Sequence, residues 1–346
     1  MRALTIDAHG GPEQIRVRDD IPIPGIVDAR DVRVRLHAAA LNHLDLWTLH
    51  GLPGITITPG WVLGADGAGV VEEIGRDVSS VQVGDTVFLN PGISCGRCEY
   101  CLAGDQPLCL QYKIPGEHRP GTIAEYVVLP EVNVRVIPST SSIEVAAAYP
   151  LVTLTAWRMC VTRARVCADD TVLIGGIGGG VALAALLVCK AIGARAWVTS
   201  RSEEKLARAR ALGADETLRH GEGIDVAQEI RSCTGKRGVD VVIDNVGAAT
   251  WRESLGSLGR RGRLVCCGST SGPIVETDLR RLFWNQWTIM GSTMGSQTEF
   301  DAITREFNAG RLSAVIDSVF SLDAGRQALE RLASGQQFGK VVVRIA

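Results

Sequence analysis

The sequence predicts an α/β protein with two parts, one β-rich and one a doubly wound parallel sheet covered by helices. Three observations predict it. Residues 171–291 alternate strand-like and helix-like runs, the pattern of βαβ units and a parallel sheet. Residues 1–150 instead hold short β-like runs separated by Gly and Pro. The length of 346 residues suits about two domains.

The elements follow in chain order. In the first part "DVRVRLHAAAL", "GAGVVEEIG", "GDTVFL" and "AEYVVL" read as strands, and the alternation in "VRVRL" predicts a half-buried one. The pattern changes near residue 150. "TVLIGG" then precedes the helical "VALAALLVCKAIGA", and "RAWVTS" precedes "EEKLARARALGA". "VDVVIDNVG" precedes "ATWRESLGSLG", and "GRLVCCG", "ETDLRRLFWNQW" and "TIMGS" complete the series. The near-continuous apolar strands fit a sheet covered on both faces. In the tail, Ser296 and Glu299 have capping-box spacing before "FDAITREFNAG", Gly310 is suited to end that helix, and "GKVVVRIA" reads as a last strand.

Composition narrows the function. Hydrophobic residues are 46% and charged residues 21%, with net charge −2. No basic field is present to hold nucleic acid or anionic lipid. The start "MRALTIDAHGG" lacks the apolar core of a signal peptide. The apolar run near residue 181 is broken by Lys190, well short of the ~20 residues that span a bilayer. A cytoplasmic protein acting on a small molecule is expected.

Four of the ten cysteines, Cys95, Cys98, Cys101 and Cys109, lie in "CGRCEYCLAGDQPLC" with spacing C-x2-C-x2-C-x7-C. In a cytosolic chain such clustering points to metal rather than to disulfides. The others, including Cys160, sit mostly in apolar stretches, where cysteine behaves as a small buried hydrophobe.

"TVLIGGIGGGVALAALL" is a strand, a glycine cluster and a helix start. Glycines there let backbone approach a pyrophosphate, and the helix N-terminus offers free N–H groups. Gly176 and Gly178 fit the first two positions of G-x-G-x-x-G, the third falls on Val181, and Gly179 and Gly180 loosen the turn. The strand–turn–helix context makes this a dinucleotide site. An acid about 20 residues on would bind the ribose 2′-hydroxyl of NAD. The sequence reads "WVTSRSEEK", with no acid at Ser200, Arg201 or Ser202. Arg201 and Lys205 suit a 2′-phosphate, so NADPH is the expected cofactor. The competing reading has Ser200 capping the next helix through Glu203, with Arg201 a solvated charge.

The chain resembles the medium-chain dehydrogenase/reductase superfamily. The likeness runs through "GADGAGVVEEIG", "VGDTV", the four-cysteine segment, "LTAW", "GGIGGGV", "EEKLARARALGAD", "GVDVVIDNVG" and "FGKVVV". It implies a GroES-like catalytic domain over 1–150 and 294–346, with a zinc lobe at 92–112, and a Rossmann NADP(H)-binding domain over 151–293. It also implies that Cys95, Cys98, Cys101 and Cys109 hold a structural zinc. Four thiolates close a tetrahedral site and leave no open position. Asn245, Gly268 and Ser269 are further cofactor-binding candidates.

Zinc-dependent alcohol dehydrogenases of this family carry a second, catalytic zinc on a Cys, a His in "GHE" and a later Cys. Those positions match Asn42, Ala65 and a site at or near Leu151, so all three ligands are absent. His43, His50, Asp66 and Cys160 are the available substitutes. A lone His is more often a hydrogen-bonding side chain, and Cys160 reads as core.

Alcohol oxidation relies on that zinc as a Lewis acid. Reduction of an activated C=C bond or a quinone needs only hydride and donors to the carbonyl oxygen. The chain is similar to the quinone oxidoreductase-like and enoyl reductase-like branches that lack catalytic zinc. Asn42, in their "N-x-x-D" segment, becomes the candidate contact to the substrate carbonyl. Asp45 either orients that segment or caps it locally. Thr155, in "LTAW", resembles the threonine beside the nicotinamide ring. Trp47, His50 and Trp61 either line the substrate pocket or pack. Enoyl reductase-like members supply a tyrosine from the loop near 50–60, and "LHGLPGITITPGW" holds none. An NADPH-dependent reductase of enones, enoyl thioesters or quinones is the first expectation. An alcohol or aldehyde dehydrogenase with an atypical site is the second, and a non-catalytic NADPH-binding protein the third. The resemblance implies a homodimer or homotetramer.

Overall fold

The computed structural model describes residues 1–345. The chain divides into two compact units, Met1–Val152 with the segment from Gly295 onward, and Thr153–Met294.

The first unit begins with strands β1 (Ala3–Ile6), β2 (Ile15–Arg18) and β3 (Asp31–Ala40), helix α1 (His43–His50), and strands β4 (Trp61–Val62), β5 (Asp66–Ile74) and β6 (Thr86–Leu89). Helix α2 (Glu99–Leu102), strands β7 (Tyr126–Pro130) and β8 (Val134–Val136), and helix α3 (Ile143–Ala148) follow, and helix α4 (Pro150–Trp157) begins in this unit and ends in the second. β1 lies between β2 and β4 in a three-stranded sheet. β3 is the spine of the larger sheet. Its Val32, Val34 and Leu36 alternate inward with a period of two while Arg35 is exposed. β5 runs antiparallel along it from Val32↔Ile74 to Ala40↔Asp66. The core gathers Leu4, Leu36, Leu63, Leu89, Ile123 and Val343.

The second unit is a run of strand–helix pairs: β9 (Thr171–Ile174), α5 (Gly180–Ile192), β10 (Arg195–Ser200), α6 (Glu203–Ala211), β11 (Glu216–Arg219), α7 (Val226–Cys233), β12 (Val239–Asp244), α8 (Ala248–Ser257), β13 (Leu258–Cys266), α9 (Leu279–Asn285) and β14 (Thr288–Gly291). All pairings are parallel, in the order β11-β10-β9-β12-β13-β14. That is the doubly wound order with its switch point between β9 and β12, where such sheets take their ligands. β9 is buried along its whole length. Leu173, Val242, Leu264, Trp251 and Leu255 form the core beside it.

The chain then returns to the first unit through α10 (Gln297–Asn308), β15 (Ile316–Ser321), α11 (Gly325–Ala333) and β16 (Lys340–Arg344). Ser296 and Glu299 form the expected capping box, and Gly310 follows the C-cap with φ 68°. Phe300 and Phe307 of α10 pack on Phe88, at ring-centroid distances of 5.5 and 5.3 Å, and Tyr149 donates to the Ile303 carbonyl at 2.8 Å. β16 closes antiparallel on β3, with Val342 opposite Ala40.

One competing reading falls and one pair of elements is added. Ser200 does not cap α6. It is the last residue of β10, and its hydroxyl accepts from the Ser202 N–H at 3.1 Å. Ser202 is the cap, accepting from the Lys205 N–H at 3.3 Å, so the strand runs one residue into the presumed cap. The β11–α7 pair was not read from the sequence, because "ETLR" is short and polar and shows no period. Among the described residues, no helix is long and apolar enough to cross a membrane.

Candidate functional site

The register of β3 brings three strand ends together. Asp66, the first residue of β5, stands opposite Ala40. On the other side of β3, Val342 pairs with Ala40 and the Leu41 N–H donates to the Val341 carbonyl. Continuing that register sets Lys340 beside Asn42. The side chains meet: Lys340 Nζ donates to Asn42 Oδ1 at 2.5 Å and to Asp66 Oδ2 at 2.9 Å. Asn42 Nδ2 donates to Asp66 Oδ2 at 2.9 Å and, over a longer 3.3 Å, to the Ala40 carbonyl. Asp66 Oδ1 accepts from the Leu151 N–H at 2.8 Å. Asp66 and Lys340 are 0% and 4% exposed, so this is a buried ion pair whose remaining lone pairs are satisfied by neutral donors.

Asp45 lies one helical turn into α1. Its Oδ2 accepts from the Asn42 N–H at 2.7 Å and its Oδ1 from the Gly64 N–H at 2.9 Å. It therefore both caps α1 and ties α1 to the chain before β5. Gly64 has φ 98°, and a Cβ there would meet Ile123 Cγ1 at 2.5 Å; only glycine passes this point. Burial raises the Asp45 carboxyl to about 6, the two N–H donors and Lys340 opposing that rise. The sign follows. From about pH 4 to about 6 the folded chain keeps a proton that the unfolded chain has lost, so the ionising carboxylate lowers stability through that window. Asp45→Asn removes the slope. Its stability relative to the parent should rise by about 2 kcal/mol between about pH 4.5 and about pH 7, read by urea unfolding at both; a pH-independent gap contradicts this placement.

The other candidate ligands do not join this cluster. The ring of His43 stacks edge-on with Trp47 at 5.0 Å, His50 is exposed, and Trp61 donates its indole N–H to the Gly116 carbonyl at 2.8 Å. In the second unit, Cys160 is fully buried, 4.0 Å from Cys189 Sγ. Thr155 lies buried in α4.

Among the described residues, the only group of three or more His, Cys, Asp or Glu side chains with converging ligand atoms is Cys95, Cys98, Cys101 and Cys109, whose Sγ atoms lie within 4.8 Å of one another. Sulfurs around a tetrahedral zinc with Zn–S of about 2.3 Å sit about 3.8 Å apart. Here Cys98 and Cys101 are 3.5 Å apart, and Cys95 and Cys101 are 4.0 Å apart. Backbone N–H groups of Cys95 and Gln111 point at Cys109 Sγ. Those of Arg97 and Cys98 hold the Cys95 thiol down to about 6, whereas burial pushes Cys101 up to about 11. The donor set fits zinc, with no coordination position left over.

In the second unit the turn after β9 fits a dinucleotide. Gly176 and Gly178 have φ 64° and 121°, and a Cβ on Gly176 would come 3.1 Å from Val246 Cγ2. The Gly176 N–H donates to Thr199 Oγ1 at 3.2 Å. α5 starts at Gly180 from a Gly179 N-cap that offers no side-chain cap, leaving its first N–H groups for an anion. Asn245, just past β12, keeps a buried Oδ1 with no partner among the described residues. A Cβ on Gly268 would meet the Asn245 carbonyl at 2.9 Å, and the Ser269 carbonyl accepts from the Gly272 N–H. At the end of β10, Ser200 is buried and Arg201 exposed. His220, which sequence reading passed over, donates its N–H to the Ser200 carbonyl at 3.0 Å. Burial and the nearby Arg201 hold its imidazole below the usual range.

Comparison with known proteins agrees with both halves. Residues 28–139 match the family described as alcohol dehydrogenase GroES-like domain, and residues 180–338 the family described as zinc-binding dehydrogenase. The chain is 30% identical to the quinone oxidoreductase of Lama guanicoe over 99% of its own length and 97% of the other. It belongs to the medium-chain dehydrogenase/reductase superfamily. Like other members of that superfamily it is an oxidoreductase with a GroES-like domain and a parallel-sheet domain. It is also 30% identical, over the full length of both chains, to the NAD-dependent alcohol dehydrogenase of Sulfolobus acidocaldarius. Among solved structures, an NAD-dependent alcohol dehydrogenase matches with 44% identity and TM-score 0.94 over 100% of both chains. A cobalt- and zinc-bound thermostable alcohol dehydrogenase from Pyrobaculum aerophilum matches with 33% identity and TM-score 0.89, over 100% of this chain and 99% of that one.

Proposed function

We propose that this oxidoreductase uses NADPH to reduce an activated C=C bond or a quinone, without a metal at its reacting centre, and that its one zinc is structural. One observation carries the reading. The positions that the resemblance matches to the catalytic zinc ligands are Asn42, Ala65 and one at or near Leu151, and the neighbouring carboxylate, Asp66, is already bonded to Asn42, Leu151 and Lys340. No thiolate or imidazole stands there to bind a soft metal.

Bound NADPH supplies a hydride to the electrophilic carbon. The chain's own groups bind the cofactor and stabilise the developing charge, and a hydroxyl or water delivers the proton that completes the reduced product. The glycine turn and the start of α5 take the pyrophosphate, with Asn245, Gly268 and Ser269 beside them. Arg201, Lys205 and His220 take the 2′-phosphate, the arginine as a two-pronged donor. Asn42 is the donor to the substrate carbonyl. Its long bond to the Ala40 carbonyl is the one a stronger acceptor displaces, and a fixed N–H there stabilises the enolate oxygen as charge develops. Thr155 contacts the nicotinamide ring. Assembly as a homodimer or homotetramer belongs to the same reading, supported by the open edge of β14 and by the exposed Phe283 and Trp284 of α9.

A second reading, an alcohol or aldehyde dehydrogenase with an atypical site, is favoured by the name of the 44%-identical structure. NADPH oxidation across quinones, enones, enoyl thioesters and aldehydes separates the two. The first three classes are expected to be turned over. Activity confined to aldehydes, or alcohol oxidation alone, selects the second reading.

A further inference from the structure

We propose that Lys340 is a positioning residue: its buried ammonium fixes the Asn42 amide in the one orientation that presents N–H rather than oxygen toward the substrate. The inference rests on the reading of a metal-free reacting centre in which Asn42 is the carbonyl donor.

The two ends of an Asn side chain have nearly the same shape, so only partners decide which end carries the oxygen. Here the partners leave no choice. A cation that only donates stands at one end, Lys340 Nζ on Oδ1. An acceptor-only carboxylate stands at the other, Asp66 Oδ2 on Nδ2. Rotating the amide by half a turn would set NH2 against NH3⁺ and oxygen against carboxylate. The remaining Nδ2 hydrogen is held only by the 3.3 Å bond to the Ala40 carbonyl. The arrangement thus keeps one N–H lightly held and denies the site an oxygen in its place.

The same two groups tie the chain together. Asp66 bonds to Asn42 and to the Leu151 N–H, and Lys340 joins that pair from β16. The segments of Asn42, Asp66 and Leu151 are those that the resemblance assigns to a catalytic zinc, and Lys340 adds β16 to them. The cluster joins them with a fixed cation of the protein's own. A buried ion pair is a weak stabilising device, since packed apolar residues of similar size often do as well or better. Its contribution is therefore expected in geometry rather than in net stability.

Losing Lys340 alone would strand the Asp66 charge in the interior, so Lys340→Met by itself conflates folding with catalysis. The test is the double variant K340M/D66N, which removes both charges and restores neutrality. Purified protein is assayed with NADPH and an enone or quinone that the parent turns over, alongside thermal unfolding. The expected result is a melting temperature close to the parent's and a KM for NADPH within about threefold, with kcat at least ~30-fold lower. A kcat within about threefold of the parent overturns the inference. Should the double variant not fold, Lys340→Arg is read instead, since it keeps the buried pair. Positioning predicts at least a ~10-fold fall in kcat as the longer fork displaces the Asn42 amide; an unchanged kcat points to ion pairing alone and overturns it. A parent inactive on every alkene and quinone defeats the underlying reading instead, so the two failures are distinguishable.

Discussion

Cys101→Ala is expected to lower bound zinc from about one per chain to less than about a tenth. Three thiolates remain, but a structural site gains its affinity from closing a complete tetrahedron. Structural zinc binding is worth on the order of 10 kcal/mol in small domains and is released as folding free energy. Few apolar side chains anchor the segment that bears it. α2 is one turn, and Leu102, Leu108 and Leu110 are exposed. The loss should therefore be local. The variant is expected to be cut by protease within residues 95–112 under conditions that leave the parent intact, while the β3 core and the second unit stay folded. Metal analysis with limited proteolysis checks this. A variant that retains a full equivalent of zinc would remove the four-cysteine lobe from the metal site. About two zinc ions per parent chain would instead contradict a metal-free reacting centre.

The second large effect concerns the cofactor. Arg201→Ala is expected to raise KM for NADPH by roughly 10–100-fold and to leave KM for NADH within about threefold, since a charge-assisted contact to phosphate contributes about 1.5–3 kcal/mol. The strand β10 ends on Ser200 with no carboxylate after it until Glu203 in α6. The site thus lacks the acid that would bind a ribose 2′-hydroxyl and repel a phosphate. His220, held below its usual range first by burial and then by Arg201, is joined to the end of β10 through the Ser200 carbonyl. Two relatives carry NAD-dependent in their names, which makes the steady-state comparison of both cofactors informative. Equal effects on the two would take Arg201 out of the phosphate site.

Local features were legible in the sequence and long-range ones were not. The glycine turn, the capping box at Ser296 and the four-cysteine spacing each lie within a short window where residue type dictates geometry. The alternation in β3 announced its buried face because Val32, Val34 and Leu36 project to one side. The competing reading set the α6 cap two residues early because Ser200 and Ser202 both carry a hydroxyl, and only the extent of β10 decides between them. The Asn42–Asp66–Lys340 cluster was out of reach for a different reason. Lys340 and Asp66 are 274 positions apart, and only the pairing of β16 and β5 on either side of β3 brings them together. Asp66 had been weighed as a substitute metal ligand, and the structure instead gives its carboxylate to an ammonium. The one local hint was a lysine opening the apolar run "GKVVV", an uncommon place for an unpaired charge.

The central claim, hydride delivery to an activated double bond, is tested most directly by isotope position. A conjugated enal offers one hydride two destinations, the β-carbon and the carbonyl carbon. The protein is incubated with the enal and NADPH deuterated at C4 of the nicotinamide, and the product is read by NMR. The account predicts a saturated aldehyde carrying deuterium at the β-carbon. An allylic alcohol labelled at its carbinol carbon would contradict it and return the chain to carbonyl and alcohol chemistry.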